Sequence, residues 1–126
     1  MIVRRCCCLM LLCWLVCGCS KPKSTDELLK DLQAAEEGDR IKAARTLPER
    51  KADAARIVPA LSAALKDKES DVRRSAALGL GNLGELARDA IPSLVEAQKD
   101  SDARVRKAVE IALSRIDPQR FPAGSQ

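Results

Sequence analysis

The stretch Val58-Pro59-Ala60-Leu61 returns 33 positions later as Ile91-Pro92-Ser93-Leu94. The same offset joins Arg40, Arg73 and Arg106, then Leu47, Leu80 and Leu113, then Ala43, Ala76 and Val109, and Asp67 with Asp100. Leu28 and Leu32 match Leu61 and Leu65. A fixed period of this length, kept without a slip, restricts the chain to structures built by stacking like units. One such unit cannot bury its own apolar face.

The apolar spacing inside each period is helical. Val72, Ala76, Gly79, Leu80 and Leu83 fall on one face, and Val105, Val109, Ala112, Leu113 and Ile116 copy them. Two helices fit in each period, with expected spans near 25–35 and 38–47, 54–66 and 70–84, and 87–99 and 102–116. Ser24 followed by Glu27 predicts a capping box at the first. Pro59 and Pro92 are expected in the first turns of the two later leading helices, where a backbone N–H has no helical partner anyway. Pro48 ends the second helix at Leu47, and the run Asp117 to Pro122 stops the last. The first unit is the most degenerate, as a terminal cap often is. The expected fold is all-α, a short α-solenoid of about three helix pairs over residues 24–117, with 118–126 a loose tail. Phe121 is the one aromatic residue after Trp14, so its core must be Leu, Ile, Val and Ala.

The segments VPALSAALKDKESDVRRSAALGLGNLG and IPSLVEAQKDSDARVRKAVEIALSRI resemble HEAT repeats, particularly the short repeats also found in phycobilisome lyases. Proline in the first helix, Asp in the turn and Val-Arg at the start of the second helix carry the resemblance, over roughly residues 25–117. It implies a solenoid whose second helices line a concave face. It also implies an Asp-Arg ladder between neighbouring turns, with Asp67 six residues before Arg73 and Asp100 six before Arg106. Ala34 stands where the first unit would have its Asp, which leaves Arg40 the least explained of the three arginines. Such motifs specify architecture far better than function, because the family includes scaffolds, adaptors, bilin lyases and a few nucleic-acid enzymes.

On that concave face, positions opposite the core stripe are Arg45, Arg74, Leu78, Lys107, Ile111, Ser114 and Arg115. Cations around two aliphatic side chains suit a protein partner with an acidic, partly apolar segment. The other reading of the same residues is solubilising charge beside two aliphatics buried between units. Gly79 to Gly84 spells G-x-G-x-x-G, the dinucleotide fingerprint, but that motif needs a strand before it and a helix after it. Here it falls inside a second helix, where Gly79 allows close helix approach and Gly84 ends the helix.

All six cysteines lie within CCCLMLLCWLVCGC at the start of the chain. Zinc and iron-sulfur ligands come as spaced pairs on polar turns. These thiols sit in an apolar run that follows Arg4 and Arg5, the pattern of an export signal, and the run from Cys6 to Val16 is too short to span a bilayer. Val16-Cys17-Gly18-Cys19 resembles the lipobox of bacterial lipoproteins. That resemblance implies cleavage after residue 18, lipid attachment at Cys19, a tether over 19–23 in which Lys21 and Lys23 can meet anionic headgroups, and residence on a membrane of the cell envelope. The sites implied are the periplasmic face of the outer or inner membrane, or the outer face of the cytoplasmic membrane; Ser20 favours outer-membrane sorting by analogy with enteric bacteria. The alternative is ordinary cleavage that leaves Cys19 free.

The chain has no His and no Tyr, and its carboxylates are scattered over polar faces. No catalytic set, metal site or cofactor site is singled out. With basic and acidic residues interspersed and a formal net charge of +4, the chain lacks the footprint of a nucleic-acid binder. The function expected is a membrane-anchored scaffold or adaptor for protein binding. The alternative is an accessory or lyase-like protein that handles an envelope ligand.

Overall fold

The computed structural model describes residues 21–124, so the expected signal segment 1–18, Cys19 and Ser20 lie outside it. Among the described residues the chain is helical throughout, as an α-solenoid. The helices are α1 (Thr25–Asp31), α2 (Glu37–Thr46), α3 (Ala54–Ala64), α4 (Ser70–Leu83), α5 (Ile91–Ala97) and α6 (Ala103–Ile116). Short 3₁₀ turns cover Leu47–Glu49, Lys51–Asp53 and Gly84–Ala90.

Helix α1 starts at the expected capping box: the Ser24 hydroxyl accepts from the Glu27 N–H at 3.2 Å, and Glu27 accepts from the Ser24 N–H at 2.6 Å. It ends at Asp31, short of the expected 35. The leading helix of the third unit is also shorter than its pattern. Residues 84–90 wind as 3₁₀ with a break at Ala87, and the α-helix begins at Ile91 with Pro92 in its first turn. Pro59 departs from expectation because α3 begins at Ala54, which puts the proline in the second turn. The helix tolerates it because both Pro59 and Ala55, whose carbonyl loses its donor, are exposed and water can serve that carbonyl.

The core is aliphatic and follows the period. Leu61 and Leu94 are fully buried at one equivalent position, and Leu47, Leu80 and Leu113 at another, with Ile57, Val72, Val105, Val109 and Ile116 between them. Alanines let the helices close up, and α4 goes further. A Cβ on Gly79 would meet the Ala44 carbonyl oxygen of α2 at 2.8 Å, and one on Gly81 would meet the Ala112 Cα of α6 at 2.9 Å. The glycine run thus serves helix packing on both flanks of α4. Gly84 closes the helix with φ +58°, a conformation that costs glycine nothing.

Candidate functional site

The second helices of the middle and last units, α4 and α6, face each other in register. Residues at equivalent positions meet across the gap: Arg104 lies 3.4 Å from the Asp71 carboxylate, and Arg115 donates to Asn82 at 2.8 Å. Between these two contacts runs an open groove of about 400 Å³, with Leu78, Ala103, Ala108 and Ile111 along it and Arg74, Arg104 and Lys107 at its rim. Leu78 and Ile111 are half-buried, and Leu78 also packs against the core, so each divides its surface between the interior and the groove.

Four of the residues singled out from the sequence, Arg74, Leu78, Lys107 and Ile111, therefore come together. Arg115 brackets one end through Asn82. Arg45 is exposed on α2, one unit away, and does not line the groove. Arg104, which sequence reasoning passed over, braces the other end. It donates to the Ser70 hydroxyl at 3.3 Å and to Asp102 at 2.9 Å as well as pairing with Asp71. The signal for it was present, since Asp71 and Arg104 are equivalent positions with opposite charge.

Much of the rim charge is already engaged. Arg74 lies 3.5 Å from Asp71, and Lys107 is 3.0 Å from Glu110. The side-chain and backbone hydrogen bonds from Arg104 hold the Asp102 carboxyl well below the usual aspartate range, and Asp102 in return raises Arg104. The Asp71 oxygen that faces both arginines and the Arg74 Nε are buried without a hydrogen bond, so this end of the rim is under-satisfied. The groove thus offers an apolar floor within a charge-balanced rim. The opposite side of the array has a cleft of similar size between α3 and α5, but its walls mix Leu65 and Ala97 with charged side chains and are bridged by Lys66 and Glu96 at 3.5 Å.

The expected ladder between neighbouring turns is present, and its arginines reach forward to the next unit. Arg40 grips Asp67 through Nε and Nη2 at 2.9 and 3.2 Å, and its Nη1 donates to the carbonyls of Ala34 and Ala35. Arg73 grips Asp100 at 2.7 and 2.9 Å, and its Nη1 donates to the carbonyls of Asp67 and Lys68. Each arginine takes a carboxylate 27 residues ahead, from the next unit, and caps carbonyls of its own turn. Arg40, expected to be the least explained because Ala34 replaces an Asp, is fully partnered and buried. Arg106 is the one left exposed. Hydrogen bonding from Arg73 holds the Asp100 carboxyl below its ordinary range.

Two comparisons with known proteins bear on this architecture. The HEAT repeats family matches residues 25–114. The solved complex of CpcE and CpcF of phycocyanin lyase from Nostoc sp. PCC7120 is similar at 28% identity and a TM-score of 0.70, over 79% of this chain and 40% of that one. The chain thus spans well under half the length of that relative. No curated protein matches the chain.

Proposed function

The chain belongs to the HEAT repeats family, and from that premise we propose that it is a protein-interaction module, tethered to a bacterial envelope membrane through a lipid on Cys19, that docks a partner segment in the α4–α6 groove. The observation that carries the reading is the groove itself. Leu78 and Ile111 lie side by side at equivalent positions, open to solvent and framed by Arg74, Arg104 and Lys107. An aliphatic pair ringed by polar groups is the usual anatomy of a small protein-binding patch. The partner that fits has aliphatic side chains for the floor, and any carboxylates it brings must share rim cations that already have partners in the chain. Support for the tether is the Val16-Cys17-Gly18-Cys19 junction. Lys23 then bears on geometry: its carbonyl accepts from Arg50 and its ammonium lies 2.6 Å from Asp31, which ties the inner end of the tether to the body. From Cys19 to Lys23 an extended chain reaches only about 13 Å, so a lipidated domain would ride close to the bilayer.

Affinity capture from envelope fractions tests both parts. Ile111→Ser and Lys107→Glu should each release the captured partner while the circular dichroism of the domain stays the same, and Cys19→Ala should remove acyl mass from the intact protein. Capture untouched by both groove substitutions but lost with Glu96→Lys would move the working surface to the α3–α5 side. A second reading, as an accessory protein that handles an envelope ligand, draws on the likeness to a phycocyanin lyase complex. It gains if the purified domain retains a small molecule and captures no protein.

A further inference from the structure

Arg106 repeats the posture of Arg40 and Arg73 without their pairing. Its Nη1 donates to the carbonyls of Asp100 and Ser101 at 2.8 and 3.1 Å, as theirs do to the same two places in their own turns. The side chain is exposed, and among the described residues no carboxylate meets its Nε and Nη2 edge, the edge with which the other two arginines each hold an aspartate. Beside it lies a cleft of about 240 Å³ lined by Gln98, Ala103, Arg106, Lys107 and Glu110.

We propose that this edge of Arg106 is a carboxylate-binding site, shaped for an aspartate in the acidic inter-helix turn of a different protein. A guanidinium already held by two carbonyls has little freedom left to lose when it takes a bidentate partner. The chain supplies its own template for that partner. Asp67 and Asp100 each present a carboxylate that also accepts a backbone N–H two residues on, from Glu69 and Asp102, both at 2.9 Å. The ligand class is therefore an aspartate oriented by its own turn. Lys107 is paired with Glu110, so within this cleft Arg106 is the cation without a carboxylate.

A second copy of this chain does not fit. Asp67 and Asp100 are taken by Arg40 and Arg73, and the first unit carries Ala34 at the matching place. Nor does an apolar repeat stack here. Gln98 stands where the middle unit buries Leu65, and Glu110 stands where it buries Ala77. The contact is polar and salt-sensitive, on the end of the array rather than in the α4–α6 groove, and it does not depend on the groove being occupied.

The test uses the full chain, ¹⁵N-labelled and in detergent, with a synthetic peptide of residues 96–105 as the acidic-turn probe, followed through the arginine Nε–H signals. The Arg106 signal should move saturably while those of Arg40 and Arg73 stay in place. Carrying Asp100→Asn in the peptide should weaken binding by about tenfold or more, as expected for loss of a charge-assisted pair. In the variants binding is followed through the backbone amides of residues 98–110 instead, and Arg106→Gln should abolish the response. Arg106→Lys, which keeps the charge but not the two-pronged edge, should lose most of it. Equal shifts at exposed Arg45 and Arg115, equal binding of the Asn peptide, or full binding by Arg106→Lys would reduce the effect to general charge attraction and overturn the proposal. Self-association of the chain without peptide that Arg106→Gln abolishes would make the occupant a second copy, and would overturn it too.

Discussion

The middle unit and its two neighbours share a period but not a surface. Val58, Leu65, Val72, Ala77, Gly79, Gly81 and Leu83 of the middle unit are all buried, because helices approach it from both sides. In the first unit the matching positions are Asp39, Thr46 and Arg50 in place of Val72, Gly79 and Leu83. On the outer face of the last unit they are Gln98, Glu110 and Ser114 in place of Leu65, Ala77 and Gly81. A repeat array is finished by changing the few residues that would otherwise invite one more unit, and Gly79 and Gly81 stand where a neighbour's backbone needs the space. What remains for a partner is therefore the side of the stack and the polar end at Arg106, rather than an open apolar end.

The sharpest way to break this comparison is to remove side chain from the middle. Leu61→Ala should cost about 2–5 kcal/mol of stability, as fully buried leucines do. Leu78→Ala, half-buried at the groove, should cost about 1 kcal/mol, since the loss scales with the apolar area taken from water. Chemical denaturation of both variants checks the gap, and equal losses would mean that the two sites are equally enclosed.

The ladder comes next. Arg73→Gln leaves Asp100 in place with only 9% of its side chain exposed, and should cost about 1–3 kcal/mol. Arg106→Gln, which strands no carboxylate, should cost less than about 1 kcal/mol. Acid sharpens the same point. Asp100 has a lowered pKa in the folded protein, so its contribution is complete above the ordinary aspartate range and is lost as pH falls through the lowered value. Wild-type stability should therefore fall more steeply in acid than that of Arg73→Gln, and parallel pH profiles would contradict the pairing.

Two glycines should give effects of opposite sign, the smaller of them a gain. Gly79→Ala drives a Cβ into the α2 backbone and should destabilise by about 1–2 kcal/mol despite the better helix former. Gly38→Ala on α2 meets nothing within 4 Å and should stabilise by about 0.5–1 kcal/mol. Opposite signs in thermal melts are the expected result.

Much of this was legible in the residues. The offset of 33 placed both later units, and the Ser24 box, the stop at Leu47 and the roles of Gly79 and Gly84 followed from local rules that depend on neighbours a few positions away. The ladder's direction did not follow, because a period shows which residues are equivalent and not whether a side chain reaches back or forward. Its spacing of 27 links Arg40 to Asp67, across units, while the visible spacing of six lies within a single turn. The early end of α1 and the 3₁₀ start before α5 were also hidden, since both depend on how a leading helix meets its neighbour. For the groove, periodicity located Leu78 and Ile111, but it could not show that Asp71 and Glu110 already engage Arg74 and Lys107.

The central functional claim is that the α4–α6 groove, facing away from the α3–α5 cleft, is where this module holds its partner. A photo-crosslinking residue placed singly at Ile111, at Lys99 or at Arg45, in cells carrying the otherwise unchanged protein, tests it most directly. The account predicts one discrete adduct from position 111, suppressed by Leu78→Ser, and none from position 99 or 45. An adduct from position 99 with nothing at 111 would contradict it.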